Sequence, residues 1–180
     1  MRILVTGGAG FIGSHLCERL INDGHVVTAI DNFSTGRASN LNNLKSVDNF
    51  TLVEGSILDT DILTPLIKDT EYVFHLAAAV GVFNIVNNPL ASLLTNIRGT
   101  ENVLEAAHIA KTPVFLTSSS EVYGKNISDS LKESDDRILG SPVTLRWSYS
   151  EAKAIDESLA YAYFVEKQLE TRIVRFFNTV

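Results

Sequence analysis

Hydrophobic and polar positions along this chain switch repeatedly between two periods. Arg2 to Thr6 is a run of apolar and β-branched residues, too short for a helix and stopped at once by Gly7, which predicts a buried parallel strand. Ile12, Leu16 and Leu20 then recur at helical spacing until Gly24, a stop signal. The alternation continues with strands predicted at His25 to Ile30, Phe50 to Glu54, Tyr72 to Leu76, Val114 to Thr117 and Thr171 to Phe176. Between them, helices are predicted after a cap at Thr60 or Asp61, from about Pro89 to Ala110, and within Leu145 to Lys167. Two stretches read as irregular: Asn32 to Asn43, rich in Asn, Ser, Thr and Gly, and Gly124 to Trp147, long enough to suggest an active-site loop. Strands alternating with helices of this length predict an α/β domain, a doubly wound parallel sheet covered on both faces.

A chain of 180 residues has the size of one domain, expected to span 1–180, and can bury a core. It stops a few residues past its last predicted strand, so a C-terminal lobe is expected to be missing and the protein to be longer. A net charge of -6, without a Lys/Arg cluster, argues against a nucleic-acid or anionic-lipid partner. The single Cys17 rules out an internal disulfide and a cysteine-rich zinc site, no metal site is expected, and Cys17 reads as a packing residue. No charged-then-apolar leader and no membrane-length apolar run is seen, so a cytoplasmic location is expected.

The candidate chemistry lies where predicted strands end. Gly7, Gly10 and Gly13 fall three apart between the first strand and the first helix, a spacing that allows a tight turn, approach of a pyrophosphate to the backbone, and close helix packing. Helix N–H groups would hold the anion; the same glycines also suit a turn without a ligand. Asp31, at the end of the second strand, suits the ribose hydroxyls of NAD and would repel the 2′-phosphate of NADP, or it forms a turn with Asn32. Thr117 to Gly124 follows the fifth strand at the crevice side of the sheet. Tyr149 and Lys153, four apart on a helix, share a face, and an ammonium beside a phenol, together with a positively charged nicotinamide, lowers the phenol pKa toward a usable base. A partly buried tyrosine and a solvated lysine are the plainer alternative.

TGGAGFIG (6–13), DNFSTGR (31–37), HLAAAVGV (75–82), NIRGTENVLEAA (96–107), SSSEVYG (118–124), YSEAK (149–153) and RFFN (175–178) together resemble the NAD-dependent nucleotide-sugar epimerase/dehydratase family of the extended short-chain dehydrogenases/reductases. The resemblance covers essentially the whole chain and implies a Rossmann-type NAD-binding domain. It places Gly7, Gly10, Phe11, Ile12 and Gly13 in the dinucleotide loop, and Asp31, Asn32, Ser34, Thr35 and Gly36 at the adenosine ribose. Ser56 and Ile57 stand where the family has an Asp-Ile pair at the adenine, so the aspartate is missing. Leu76, Ala77, Ala78 and Val80 match the segment along the cofactor, Val80 at a position that is lysine in some 4-epimerases. Ser119, Tyr149 and Lys153 match the catalytic set, with Ser119 and Tyr149 also at the sugar, and Asn178 matches an asparagine near the sugar diphosphate.

The implied reaction passes through a transient 4-keto sugar, and its outcome separates 4-epimerase, uronate decarboxylase and 4,6-dehydratase. Glu121 matches a glutamate of dehydratases and decarboxylases, or it positions the loop; Ser120 replaces the dehydratase aspartate, and DNFSTGR resembles the other two branches. The balance leans to a UDP-sugar 4-epimerase, then decarboxylase, then dehydratase. The alternative from another class is a non-catalytic NAD-binding sensor or interaction module. The resemblance also implies a homodimer through the two long helices, about 89–110 and 149–167, where Ile155, Leu159, Ala162, Tyr163 and Phe164 spread around the second.

Overall fold

The computed structural model describes residues 1–179 and the side chains of all of these except 82–84. The last residue of the expected 1–180 domain, and the Val82 side chain at the end of the HLAAAVGV segment, lie outside the described residues. The strands are β1 (Arg2–Thr6), β2 (Val26–Asp31), β3 (Phe50–Glu54), β4 (Tyr72–His75), β5 (Val114–Ser119) and β6 (Thr171–Phe176). The helices are α1 (Phe11–Asn22), α2 (Thr60–Lys68), α3 (Val82–Asn87), α4 (Pro89–Ala110) and α5 (Ser148–Lys167). All six strands pair in parallel in the order β3-β2-β1-β4-β5-β6. The winding direction reverses between β1 and β4, and a doubly wound sheet opens its ligand crevice at that point, beyond the carboxyl ends of the strands.

The core forms on both faces of the sheet. Leu4, Ile30, Val73, Leu104 and Leu116 pack under α2, α4 and α5, while Val5, Cys17, Val27, Ala29 and Leu41 fill the α1 side. Cys17 is fully buried, and burial pushes its thiol up to about 12, as suits a packing residue.

Several boundaries differ from the sequence expectation. β5 runs on to Ser119 because Thr117, Ser118 and Ser119 find partners in Val174, Arg175 and Phe176 of β6. β4 stops at His75, after which the Leu76 and Ala77 N–H groups turn to the Thr6 hydroxyl. The cap of α2 is Asp59, not Thr60 or Asp61: its carboxylate accepts from the N–H groups of Asp61 and Ile62. The Asn/Ser-rich stretch after β2 contains a 3₁₀ turn, Ala38–Leu44, anchored by buried Leu41 and Leu44. The short helix α3 was not anticipated; six residues carry too little periodicity to stand out. A 3₁₀ turn, Leu145–Trp147, leads into α5.

Two polar devices tie the crevice side together. Glu157 on α5 takes a forked pair of hydrogen bonds from Arg175 of β6, at 2.9 and 2.7 Å, and a third from the Ser118 hydroxyl of β5. Burial alone would raise the Glu157 carboxyl, but the bonds from Arg175 and Ser118 outweigh it and hold it below the ordinary range. Next to the sheet reversal, the Asn96 side chain of α4 accepts from the Ala79 N–H at 2.7 Å and donates to the Ala79 carbonyl, pinning the segment after β4.

Helix α1 ends with two bonds of the Schellman type, from the Gly24 N–H to Ile21 O and from the His25 N–H to Leu20 O, with Gly24 at φ +85° in open space. At the other end of α1, a Cβ on Gly13 would lie 2.2 Å from the Gly7 carbonyl oxygen, a backbone atom that has nowhere to move. The two glycines therefore predict different penalties. Gly24→Ala meets only the left-handed backbone and should cost about 1–2 kcal/mol in urea unfolding. Gly13→Ala must spread β1 from α1 and should cost about 3 kcal/mol or more, with loss of the cooperative transition in the extreme. Equal losses would mean that contact at Gly13 does not set the turn.

Candidate active site

A cavity of about 460 Å³ opens along the carboxyl ends of the strands. Its size is typical of small-molecule sites. One end is built by the β1–α1 turn, where Gly7, Gly10, Phe11, Ile12 and Gly13 line the wall. The N-terminus of α1 carries no side-chain cap, so its first-turn N–H groups, which have no intrahelical acceptor, face a region open to an anion. Asp31 sits beside it, 8% exposed, with its carboxylate accepting from the Ala9 N–H at 2.9 Å and the Phe33 N–H at 2.8 Å. The Asx turn considered for Asp31 thus forms, at the same time as the side chain lines the cavity. Asn32 makes a similar turn by accepting from the Ser34 N–H.

Asn32, Ser34, Thr35, Ser56, Ile57, Leu76, Ala77, Ala78, Val80 and Asn178 all line the same cavity. Gly36 does not: it packs behind Asp31, where a Cβ would come within 2.9 Å of the carboxylate and of Ala9. Ser56, in the place of the expected aspartate, accepts from the Leu58 N–H, so its hydroxyl oxygen is engaged in closing the turn before α2. An uncapped helix N-terminus, a shielded carboxylate and an elongated apolar floor form a donor and acceptor set that fits a dinucleotide.

The other end of the cavity gathers Ser119, Glu121, Tyr149 and Lys153. β5 and the turn after it deliver Ser119 and Glu121, and the first turns of α5 deliver Tyr149 and Lys153. The Ser119 hydroxyl accepts from the Glu121 N–H at 3.2 Å. Glu121 is clasped by both terminal nitrogens of Arg146, at 2.6 and 2.9 Å. Arg146 was not singled out from the sequence, although its place three residues before Tyr149 puts it next to the same site. A smaller cavity of about 120 Å³ adjoins, lined by Gly81, Ile85, Val86, Glu121, Arg146 and Tyr149.

Burial dominates the electrostatics of the tyrosine. In this structure the Tyr149 phenol is not lowered; burial pushes it up to about 12, and the carboxylates of Asp156 and Glu121 push in the same direction. The Lys153 ammonium, which was expected to offset this, is buried and lies 3.2 Å from Asp156 Oδ2. Asp156 was also missed, although its i+3 spacing from Lys153 is a readable signal.

Behind the site, His75 is fully enclosed. The Thr6 hydroxyl oxygen accepts from the Leu76 and Ala77 N–H groups, so its own hydrogen goes to His75 Nδ1, 2.7 Å away. That pattern assigns the ring proton to Nε2, which donates to Thr100 Oγ1 at 3.1 Å. Burial, with a smaller contribution from Lys153, lowers the His75 pKa to about 3.

The defining pattern of the NAD-dependent epimerase/dehydratase family matches residues 3–180. This chain belongs to that family. It is 42% identical over 177 residues to the UDP-N-acetyl-α-D-glucosaminuronate decarboxylase of Bacillus cytotoxicus, which covers 98% of this chain and 54% of that protein. It is 38% identical to UDP-glucuronic acid decarboxylase 1 of Xenopus tropicalis, over 99% of this chain and 41% of that protein. Among solved structures, the UDP-N-acetylglucosamine 4-epimerase of Methanobrevibacter ruminantium superposes with a TM-score of 0.88 at 37% identity, covering 98% of this chain and 55% of that one. The chain therefore spans about half the length of the curated relatives it matches. Among the described residues, no helix is long and apolar enough to cross a membrane.

His75 carries a pH prediction. Its folded pKa lies far below its ordinary value of 6.5, so the unfolded chain takes up a proton that the folded chain refuses. The stability this confers is complete above about pH 6.5 and is lost as pH falls toward about 3, at up to about 1.4 kcal/mol per pH unit. Urea-unfolding free energies of the wild type should fall more steeply between about pH 6.5 and pH 4 than those of His75→Gln. Parallel curves would show that the histidine is not held neutral.

Proposed function

We propose that this chain is the NAD-binding part of an enzyme that acts on a nucleotide-diphosphate sugar through a transient 4-keto intermediate, and that the reaction is decarboxylation of a UDP-linked uronate. The observation that carries the reading is the single cavity with a dinucleotide-fitting loop at one end and Ser119, Glu121, Tyr149 and Lys153 at the other. A sensor module has no need of the second group.

NAD, when bound, supplies the hydride acceptor. The glycine loop and the N-terminus of α1 hold its pyrophosphate, Asp31 its adenosine ribose, and Lys153 its nicotinamide ribose. Tyr149 takes the proton of the sugar 4-hydroxyl, and Ser119 donates a hydrogen bond to the 4-oxygen as charge develops there. Once C4 is a ketone, a C6 carboxylate is a β-keto acid. The C5–C6 bond then breaks to release carbon dioxide, its electron pair moves into the C4–C5 enolate, and a proton is returned to C5; return of the hydride to C4, with Tyr149 giving its proton back to the 4-oxygen, leaves a UDP-pentose.

Three features weigh the branches. The relatives named above at 42% and 38% identity are decarboxylases of UDP-linked uronates. Glu121 is present, while Ser120 removes half of the acid/base pair a dehydratase needs. The second reading, 4-epimerization, is the one toward which the motifs alone lean, and it is favoured by the structural likeness to a 4-epimerase. A homodimer through α4 and α5 belongs to the same proposal: Leu90, Ile109, Ile155, Tyr161, Phe164 and Val165 on these helices are exposed. A monomeric mass at micromolar concentration would count against it.

In the full-length protein, Tyr149→Phe should reduce turnover by roughly 100- to 10,000-fold and leave NAD binding intact; retained turnover would overturn the assignment. Incubation with UDP-glucuronate and, separately, with UDP-glucose distinguishes the two reactions. Release of carbon dioxide with a UDP-pentose product supports decarboxylation, and conversion of UDP-glucose to UDP-galactose assigns the protein to 4-epimerization. Asp31 predicts that NAD binds more tightly than NADP, which quenching of Trp147 fluorescence reads directly; equal affinity would remove the role given to Asp31.

A further inference from the structure

The side chains of Lys153 and Asp156 are 2% and 0% exposed and form an ion pair at 3.2 Å inside the molecule. A buried ion pair contributes little to stability compared with well-packed apolar groups of the same volume, so its presence beside a candidate catalytic tyrosine points to a task other than folding. Asp156 Oδ1 has no partner of hydrogen-bond geometry, although the Thr100 side chain stands beside the carboxylate. From Thr100 the polar chain continues through His75 to Thr6, one residue before Gly7. The pair is therefore held at the end of a set of side chains reaching from α5 through α4 and β4 to β1.

The charged groups around the Tyr149 phenol can be named element by element. From α5 come Lys153 and Asp156, from the turn after β5 comes Glu121, and from the turn before α5 comes Arg146, whose guanidinium is already forked onto Glu121. On the α3 side, the smaller cavity brings Gly81, Ile85 and Val86, none of them charged. Each cation near the tyrosine is thus matched by a carboxylate, and desolvation is left to act on the phenol without opposition.

We propose that Asp156 is a positioning residue that acts through Lys153: its carboxylate fixes the ammonium at the inner end of the site and cancels its field at Tyr149, keeping the phenol protonated. The inference rests on reading Tyr149 and Lys153 as the proton-handling pair. Proton transfer from substrate to Tyr149 then requires that the ammonium be freed from Asp156, so the carboxylate sets how readily the base is armed.

The test needs no substrate and is made on this chain. Tyrosinate absorbance at about 295 nm is followed with pH, together with far-ultraviolet circular dichroism, and the same titration of Tyr149→Phe is subtracted to isolate Tyr149 from the other four tyrosines of the chain. In Asp156→Asn, Tyr149 should ionise roughly one pH unit or more below the wild type, and Asp156→Glu, which keeps the charge, should restore the higher midpoint. An unchanged midpoint in folded Asp156→Asn overturns the proposal. Where the lone ammonium prevents folding, the double variant Lys153→Met/Asp156→Leu replaces the pair by apolar groups. Because the ammonium and the carboxylate that opposes it are then both gone, the double variant should titrate closer to the wild type than is expected of Asp156→Asn, and a midpoint as low as that expected of Asp156→Asn also overturns the proposal. Failure of this titration leaves the turnover experiment on Tyr149→Phe untouched, so the two readings fail separately.

Discussion

The contact on which the rest of the molecule depends is the approach of Gly13 to the Gly7 carbonyl, so close that no side chain fits between them. It brings the first turn of α1 against the end of β1 and fixes the direction in which the helix N–H groups point. Without it the cavity would have no anion-binding end. β1 also carries Thr6, whose hydroxyl takes two N–H groups from the segment after β4 and thereby joins the two halves of the sheet where the winding reverses. One turn and one hydroxyl thus define the crevice before any catalytic side chain is placed in it.

Electrostatics then divides the cavity. At the dinucleotide end, Asp31 is held by one backbone donor on each oxygen, which orients the carboxylate without a cationic partner and leaves it further acceptor capacity. At the reactive end the charges come in pairs: Glu121 with Arg146, Asp156 with Lys153, Glu157 with Arg175. The first end is poised for a ligand through fixed dipoles, which need no rearrangement. At the second, the fixed charges are already paired with one another.

Much of this was legible in the sequence for a physical reason. Strand and helix periods, glycine spacing and the placement of Tyr149 four residues before Lys153 are local properties, and the order of elements constrains a parallel sheet strongly. What was not legible depends on contacts between distant segments. The length of β5 is decided by pairing with β6, more than fifty residues later. The raised Tyr149 phenol is decided by burial and by Asp156, and only the fold shows that Lys153 turns inward. Gly36 was read as a cofactor contact because it sits in a matching motif; the structure places it behind Asp31, where its role is to let the carboxylate approach Ala9. Asp59 shows the limit of local rules, since three consecutive residues could each cap α2 and the backbone geometry selected one.

The clasp of Glu157 by Arg175 and Ser118 has a consequence for the way the molecule opens. Among the described residues β6 is paired on one side only, and a strand so placed is ordinarily the first part of a sheet to fray. Here its arginine is tied to α5, and through the same carboxylate to β5, by charge-assisted bonds that are largely screened from water. Detaching β6 would strand Glu157 and Arg175 in a poorly solvated place, so strand, helix and neighbouring strand are bound to come apart in one step. The margin of the sheet nearest Tyr149 then exchanges its amide hydrogens as part of a cooperative unit, and the geometry of the reactive end lasts as long as that unit stays closed.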